Sequence, residues 1–90
     1  MRYIEYELNL PDTSVSKYHK VHEISYDLLT KKYTILVGSW LTLEDIIRNK
    51  RPRATFKVVL EEPLDLQGPL LELLISELKW DEQKAIIKEL

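Results

Sequence analysis

The chain has 90 residues, a net charge of −2, no cysteine and two histidines. That length predicts one domain, 1–90. Disulfides and thiolate zinc sites are excluded, and a histidine pair falls short of the ligand set of structural zinc. A charge so near zero gives no global attraction to nucleic acid or anionic lipid.

The 44% hydrophobic content supports a modest core. A chain of this size still buries only roughly 60–65% of its unfolded surface, so self-association is the stabilising device that remains open to it. The start, MRYIEYELNL, carries Glu5 and Glu7 among its apolar residues and predicts no signal peptide. No run approaches the ~20 apolar residues of a membrane span.

Ile4, Tyr6, Leu8 and Leu10 alternate with Tyr3, Glu5, Glu7 and Asn9. Period two with one apolar face predicts a half-buried strand, stopped at Pro11-Asp12. Residues 13–17 are polar and read as a loop.

Tyr18 to Leu41, YHKVHEISYDLLTKKYTILVGSWL, reads as a long β-hairpin. Its turn, Asp27 to Lys32, lacks glycine, which predicts a four- or five-residue loop instead of a two-residue primed turn. Pairing Tyr26 with Tyr33 sets Ile24 opposite Ile35 and His22 opposite Val37. One face then carries Ile24, Tyr26, Tyr33, Ile35 and Val37, and the other Glu23, Ser25, Thr34, Leu36 and Trp40. A one-residue slip would mix these faces, so burial selects this register. Gly38 stands where a strand normally packs a side chain, which suggests a bulge or a close neighbouring backbone. With Leu36 and Trp40 apolar on the second face, that face is expected to be covered by a partner subunit.

Thr42 reads as the N-cap, with Asp45 as a weaker capping-box partner, of a short helix with Leu43, Ile46 and Ile47 on one face, ending near Asn49 ahead of Pro52. Ala54 to Leu60 predicts a strand with Phe56, Val58 and Leu60 on one side and Thr55, Lys57 and Val59 on the other, ending at Glu61-Glu62-Pro63. Leu64 to Gly68 reads as a connector. Pro69 opens a helix over 70–78 whose leucines and Ile75 cover more than one stripe. Trp80 is placed at a corner, and Asp81 caps a last helix, 82–90, with Ala85, Ile86 and Leu90 inward. Repeats and low-complexity segments are absent. The order predicts an α+β fold: a small antiparallel sheet of about four strands centred on the hairpin 18–41, with the C-terminal helices packed on one face.

Chemistry-bearing patterns are sparse. His19 and His22 lie three apart, so on a strand they point to opposite faces and make a poor metal pair. Asp12, Thr13 and Ser14 with a distant histidine can be drawn as a triad, but a chain of this size offers such sets freely. The two glycines, Gly38 and Gly68, form no phosphate loop. Arg48, Lys50, Arg51 and Arg53 make the best nucleic-acid signal, balanced by Glu44, Asp45, Glu61 and Glu62 nearby. No catalytic residue, cofactor or metal ligand is predicted. Candidate protein-interface residues are Leu36, Trp40, Leu70, Leu74 and Leu78, with the hairpin tip, Asp27 to Lys32, as a further contact element.

Three segments together carry a resemblance: YELNLPD, a strand closing in a leucine-proline step; the Tyr-His-x-Val-x-x-Ile hairpin above; and ATFKVVLEEPLDLQGPLLELLISELKWDE, a strand followed by a proline-started helix and an acidic turn. In this order of elements the chain resembles small tail-associated proteins of tailed bacteriophages and prophages, with a more leucine-dense helix and an extra segment after Trp80. The resemblance implies a virion or tail-assembly protein without enzymatic activity, with copies of itself or other phage structural proteins as partners, in the bacterial host cytoplasm or, after assembly, in the virion. It assigns no site residue. The rival expectation is a small nucleic-acid-binding regulator using the basic loop 48–53.

Overall fold

A computed structural model describes residues 2–12, 14–61 and 69–90. In chain order they form β1 (Arg2–Asn9), β2 (Val15–Asp27), β3 (Lys32–Trp40), the short helix α1 (Leu43–Ile47), β4 (Ala54–Glu61), α2 (Leu70–Glu77) and β5 (Ile86–Glu89). The strands make one five-stranded sheet in the order β4-β3-β2-β1-β5, with every neighbouring pair antiparallel. The α+β expectation holds in this coarse form. Its details differ: among the described residues there are five strands where about four were expected, and one eight-residue helix, α2, in the C-terminal part where two helices were expected.

The long hairpin is β2–β3, and it starts earlier than expected. Val15 pairs with Asn9 and Ser16 with Leu8, so 15–17 is strand, not loop. The β1–β2 turn is closed by Leu10 N–H donating to the Ser14 carbonyl (2.8 Å) and by Asp12, whose carboxylate accepts from the Ser14 N–H and hydroxyl. In β2–β3, Tyr26 pairs with Tyr33 and Ile24 with Ile35, as the two-face pattern requires. Beyond Glu23–Leu36 the register shifts, and Val21, not His22, faces Val37. His22 is the extra residue of a β-bulge, which lets His19 and Val21 share the core side with Ile24 despite their odd numbers.

The core lies between one sheet face and α2. Ile4, Ile35, Val37, Val58 and Leu60 from the sheet are buried with Leu70, Leu71, Leu74 and Ile75 from α2 and with Trp80. Burying leucine- or isoleucine-sized side chains contributes about 1.5–3 kcal/mol each, so this cluster is the main source of stability. Helix α2 ends in a Schellman motif: Trp80 N–H donates to the Ile75 carbonyl and Lys79 N–H to that of Ser76, with Lys79 in the left-handed region at φ 59°. This turn drives Trp80 into the corner expected for it. There it stacks on Tyr6 at 5.0 Å and meets the His19 and Phe56 rings.

The segment after Trp80 is not a helix. Asp81 does cap a turn, accepting from Gln83, Lys84 and Ala85 N–H groups, but the chain then extends into β5, pairing Ile87 with Ile4 and Lys88 with Tyr3. Nine residues form a marginal helix alone, and the free edge of β1 offers a ladder instead. Lys88 also pairs with Glu5 at 2.6 Å, and this contact holds the Lys88 pKa above the ordinary lysine value.

On the opposite sheet face, Trp40 is covered by this chain and not by a partner. Its indole N–H donates to the Lys50 carbonyl (2.8 Å), and Pro52 lies beside it over Gly38. Helix α1 packs near β3 with Thr42 as its cap, the hydroxyl accepting from Asp45 N–H (3.2 Å). Ile46 is buried, whereas Ile47, expected beside it, is 62% exposed. Pro69 occupies the N-cap of α2 and not its first helical turn. The Glu62-Pro63 stop and the 64–68 connector lie outside the described residues.

Candidate functional site

The hairpin tip and the outer half of β2 carry the two most exposed large apolar side chains among the described residues, Leu28 and Leu29. β1 pairs with β2 only over Val15–His19. Residues 22–27 are all exposed and, among the described residues, have no strand on that side. Beyond them the four-residue turn is ordered by its own backbone. The Asp27 carboxylate accepts from Leu29 N–H (2.9 Å) and Thr30 N–H (3.4 Å), and its carbonyl accepts from Lys31 N–H (2.8 Å). Lys31 takes the left-handed conformation, φ 57°, that glycine would usually supply. With the turn's polar groups paired internally, Leu28 and Leu29 project into solvent, 80% and 94% exposed. Tyr26 and Tyr33 contact each other at 4.7 Å just behind them, and Lys31 and Lys32 lie alongside.

The interface residues expected from sequence are placed elsewhere. Trp40, Leu70 and Leu74 are buried inside the chain's own fold, and Leu36 and Leu78 are half-buried. Of that set, burial leaves only the latter two any access to a partner. The leucine-rich helix is wide in its apolar coverage because α2 must fill the core against the sheet alone.

The basic segment is tied into ion pairs. Arg48 meets Glu44 at 2.7 Å, Lys50 meets Asp45 at 3.5 Å and Arg53 meets Asp12 at 3.8 Å. Arg51 makes no ion pair among the described residues. Hydrogen bonds from Ser14, helped by Arg53, hold the Asp12 carboxyl below the usual carboxylate range. Arg53 N–H also donates to the Ser39 carbonyl (2.8 Å), so the segment fastens the loop over Trp40. Interleaved acids weaken the field a phosphate backbone would meet.

One polar constellation was not foreseen. His19 and Ser39 are fully buried, with His19 Nδ1 2.6 Å from Ser39 Oγ and Nε2 2.8 Å from the Tyr6 carbonyl. The carbonyl can only accept, so a neutral ring carries its proton on Nε2 and takes the Ser39 hydroxyl proton at Nδ1. Burial pushes the His19 pKa below the ordinary histidine value, opposed by the Tyr6 bond. A serine–histidine contact resembles a nucleophile and its base, but with no exposed surface it reaches no substrate in this conformation; it joins β1, β2 and β3 inside the core. Sequence could not reveal it, because Ser39 meets His19 only through the strand register. His22, across the bulge, faces Trp40 at 6.2 Å, so the two histidines do diverge. Among the described residues, no group of three or more His, Asp or Glu side chains is placed to hold a metal ion, and no helix is long and apolar enough to cross a membrane.

Comparison with family models, with curated proteins and with solved structures gives no match for this chain.

Proposed function

We propose that this protein is a non-catalytic structural or assembly component of a phage or prophage tail that works through protein–protein contacts. The observation that carries the contact reading is the hairpin. A ribbon whose edge at 22–25 pairs with no strand among the described residues and whose tip carries two exposed leucines is suited to strand addition and to insertion into an apolar recess. Adjacent, strongly exposed leucines with Tyr26 and Tyr33 behind them fit an interaction surface. The tail assignment itself rests on the resemblance in the order of elements, which also places the protein in the host cytoplasm before assembly and in the virion after it.

The test is association with purified tail components of the phage or prophage that encodes the chain, followed by light scattering and by cross-linking from residue 29. The expected result is a complex with cross-links concentrated on the hairpin. Failure to bind any tail component, with the protein absent from purified particles and from assembly intermediates, would remove the reading.

A further inference from the structure

We propose that the hairpin tip of one copy seats in a pocket between α2 and β5 of a second copy, an inference that rests on the contact reading above and names the partner. The pocket measures about 270 Å³ and is lined by Ile75, Ala85 and Ile87 with Glu72 and Glu82. At ~30 Å³ per water molecule it holds the volume of about nine waters, more than the four carbons of a leucine side chain occupy. Its apolar floor matches Leu28 and Leu29. Its two carboxylates match Lys31 and Lys32.

The charges are placed to be used between copies. Glu82 is exposed and makes no ion pair among the described residues, and Glu72 shares Arg2 at 3.3 Å with both side chains about half exposed. Lys31 is exposed, and Lys32 reaches Glu61 only at 3.8 Å. Within the turn the one carboxylate, Asp27, is turned into the loop and accepts from its N–H groups, and Glu61 lies across from Lys32, so Lys31 is the cation beside the leucines that no ion pair engages among the described residues. Complementary charge of this kind selects partner and orientation.

A chain cannot fill its own pocket. Ile87 of β5 lies in register with Ile4 and, through it, with His19. Leu28 is nine residues further along the ribbon, about 30 Å at ~3.4 Å per residue. Tip and pocket are different surfaces, so the contact is heterologous. Each copy offers one tip and one pocket, which generates rings or open chains, unless a pair exchanges both tips reciprocally. Repetitive head-to-tail contacts suit a component of a tubular assembly.

The experiment is sedimentation velocity of the full chain across a concentration series, with variants confined to exposed residues. Wild type is expected to self-associate with rising concentration, and less at high salt. Leu28→Ser/Leu29→Ser should weaken association about 100-fold or more, the loss expected from leaving two leucines uncovered, while its melting temperature stays at the wild-type value. Lys31→Glu and Glu82→Lys should each weaken it, and the Lys31→Glu/Glu82→Lys double variant should recover it, a rescue that general surface stickiness does not give. Mixing the leucine variant with Glu82→Lys leaves one intact tip and one intact pocket, so it should give heterodimers of wild-type contact strength and no longer species. The proposal is overturned if wild type stays monomeric, if the leucine variant associates like wild type, or if the charge swap fails to rescue. It is also overturned if the tip instead binds anionic vesicles or a different protein without self-association. Tail-component binding by a strictly monomeric chain would overturn this contact and leave the proposed function standing.

Discussion

Replacing Gly38 by alanine isolates one contact that shapes the sheet. A Cβ on Gly38 would lie 2.5 and 2.8 Å from Cη2 and Cζ3 of Trp40 and 3.2 Å from Pro52 Cβ. The glycine has no positive φ, so conformational freedom is not the reason for it; the indole of Trp40 occupies the space. That ring cannot step aside cheaply. It is 3% exposed, turns about only two torsions, and is held by its N–H bond to the Lys50 carbonyl. Overpacking costs about 1–3 kcal/mol, and losing the indole hydrogen bond adds about 0.5–1.5 kcal/mol. The stiffer unfolded chain returns about 0.4–1 kcal/mol. The net cost is about 0.5–4 kcal/mol, centred at ~2, and at that centre it lowers the melting temperature of a domain this size by roughly 8–16 °C. Thermal unfolding followed by circular dichroism measures it. In a Trp40→Phe background, where the outer ring atoms and the N–H are gone, the same substitution should cost at least ~1 kcal/mol less. A variant melting within ~2 °C of wild type, or an equal loss in both backgrounds, refutes the reasoning.

Further outcomes follow from the buried polar pair and the helix end. Because the folded pKa of His19 is depressed, the unfolded chain binds the extra proton; stability should be fully present above about pH 6.5 and fall as pH drops through the folded value, by at most ~1.4 kcal/mol per unit. An NMR titration of the His19 ring with its midpoint at or above 6.5 would contradict this. Ser39→Ala leaves His19 Nδ1 without its donor and should cost about 1–3 kcal/mol in urea unfolding; no change would mean the contact is not a hydrogen bond. Lys79→Gly relieves a left-handed lysine at the α2 terminus, and the backbone bonds of the Schellman motif persist, so it should stabilise by up to ~1 kcal/mol. A destabilised variant would show that the lysine side chain contributes more than the backbone strain.

The parts of the fold that local chemistry decides were legible in the residues. Alternation in Tyr33–Val37 selects the hairpin faces because a slipped register would expose Ile35 and Val37, which are buried. Thr42 caps α1 through its own hydroxyl, and Phe56, Val58 and Leu60 declare the inner face of β4 by period two. Asp27 marks the turn, and the missing glycine correctly signals a longer loop. What failed depended on partners distant in sequence. His22 drops out of the ladder at a bulge that brings His19 and Val21 to the core side, where His19 meets Ser39, the Tyr6 carbonyl and Trp80. Trp40 is covered by Lys50 and Pro52 ten and twelve residues later, so its apolar face does not signal a partner.

The proposed contact surface was half legible. The tip was visible as a turn, but Leu28 and Leu29 fall outside any alternating pattern, and only the Asp27-centred hydrogen bonds show that both point outward. The segment after Trp80 draws the same line most sharply. Its sequence determined a capped turn at Asp81, and the spacing of Ala85, Ile86 and Leu90 predicted a helix over 82–90 that does not form. Only the tertiary structure decided for β5, because the unpaired edge of β1 supplies Ile4 and the backbone ladder, whereas nine residues of isolated helix supply too few hydrogen bonds to offset their nucleation. The residues therefore determine the two-faced hairpin by themselves. The fifth strand, and with it the pocket against α2, exists only because of a neighbour more than eighty residues away in sequence.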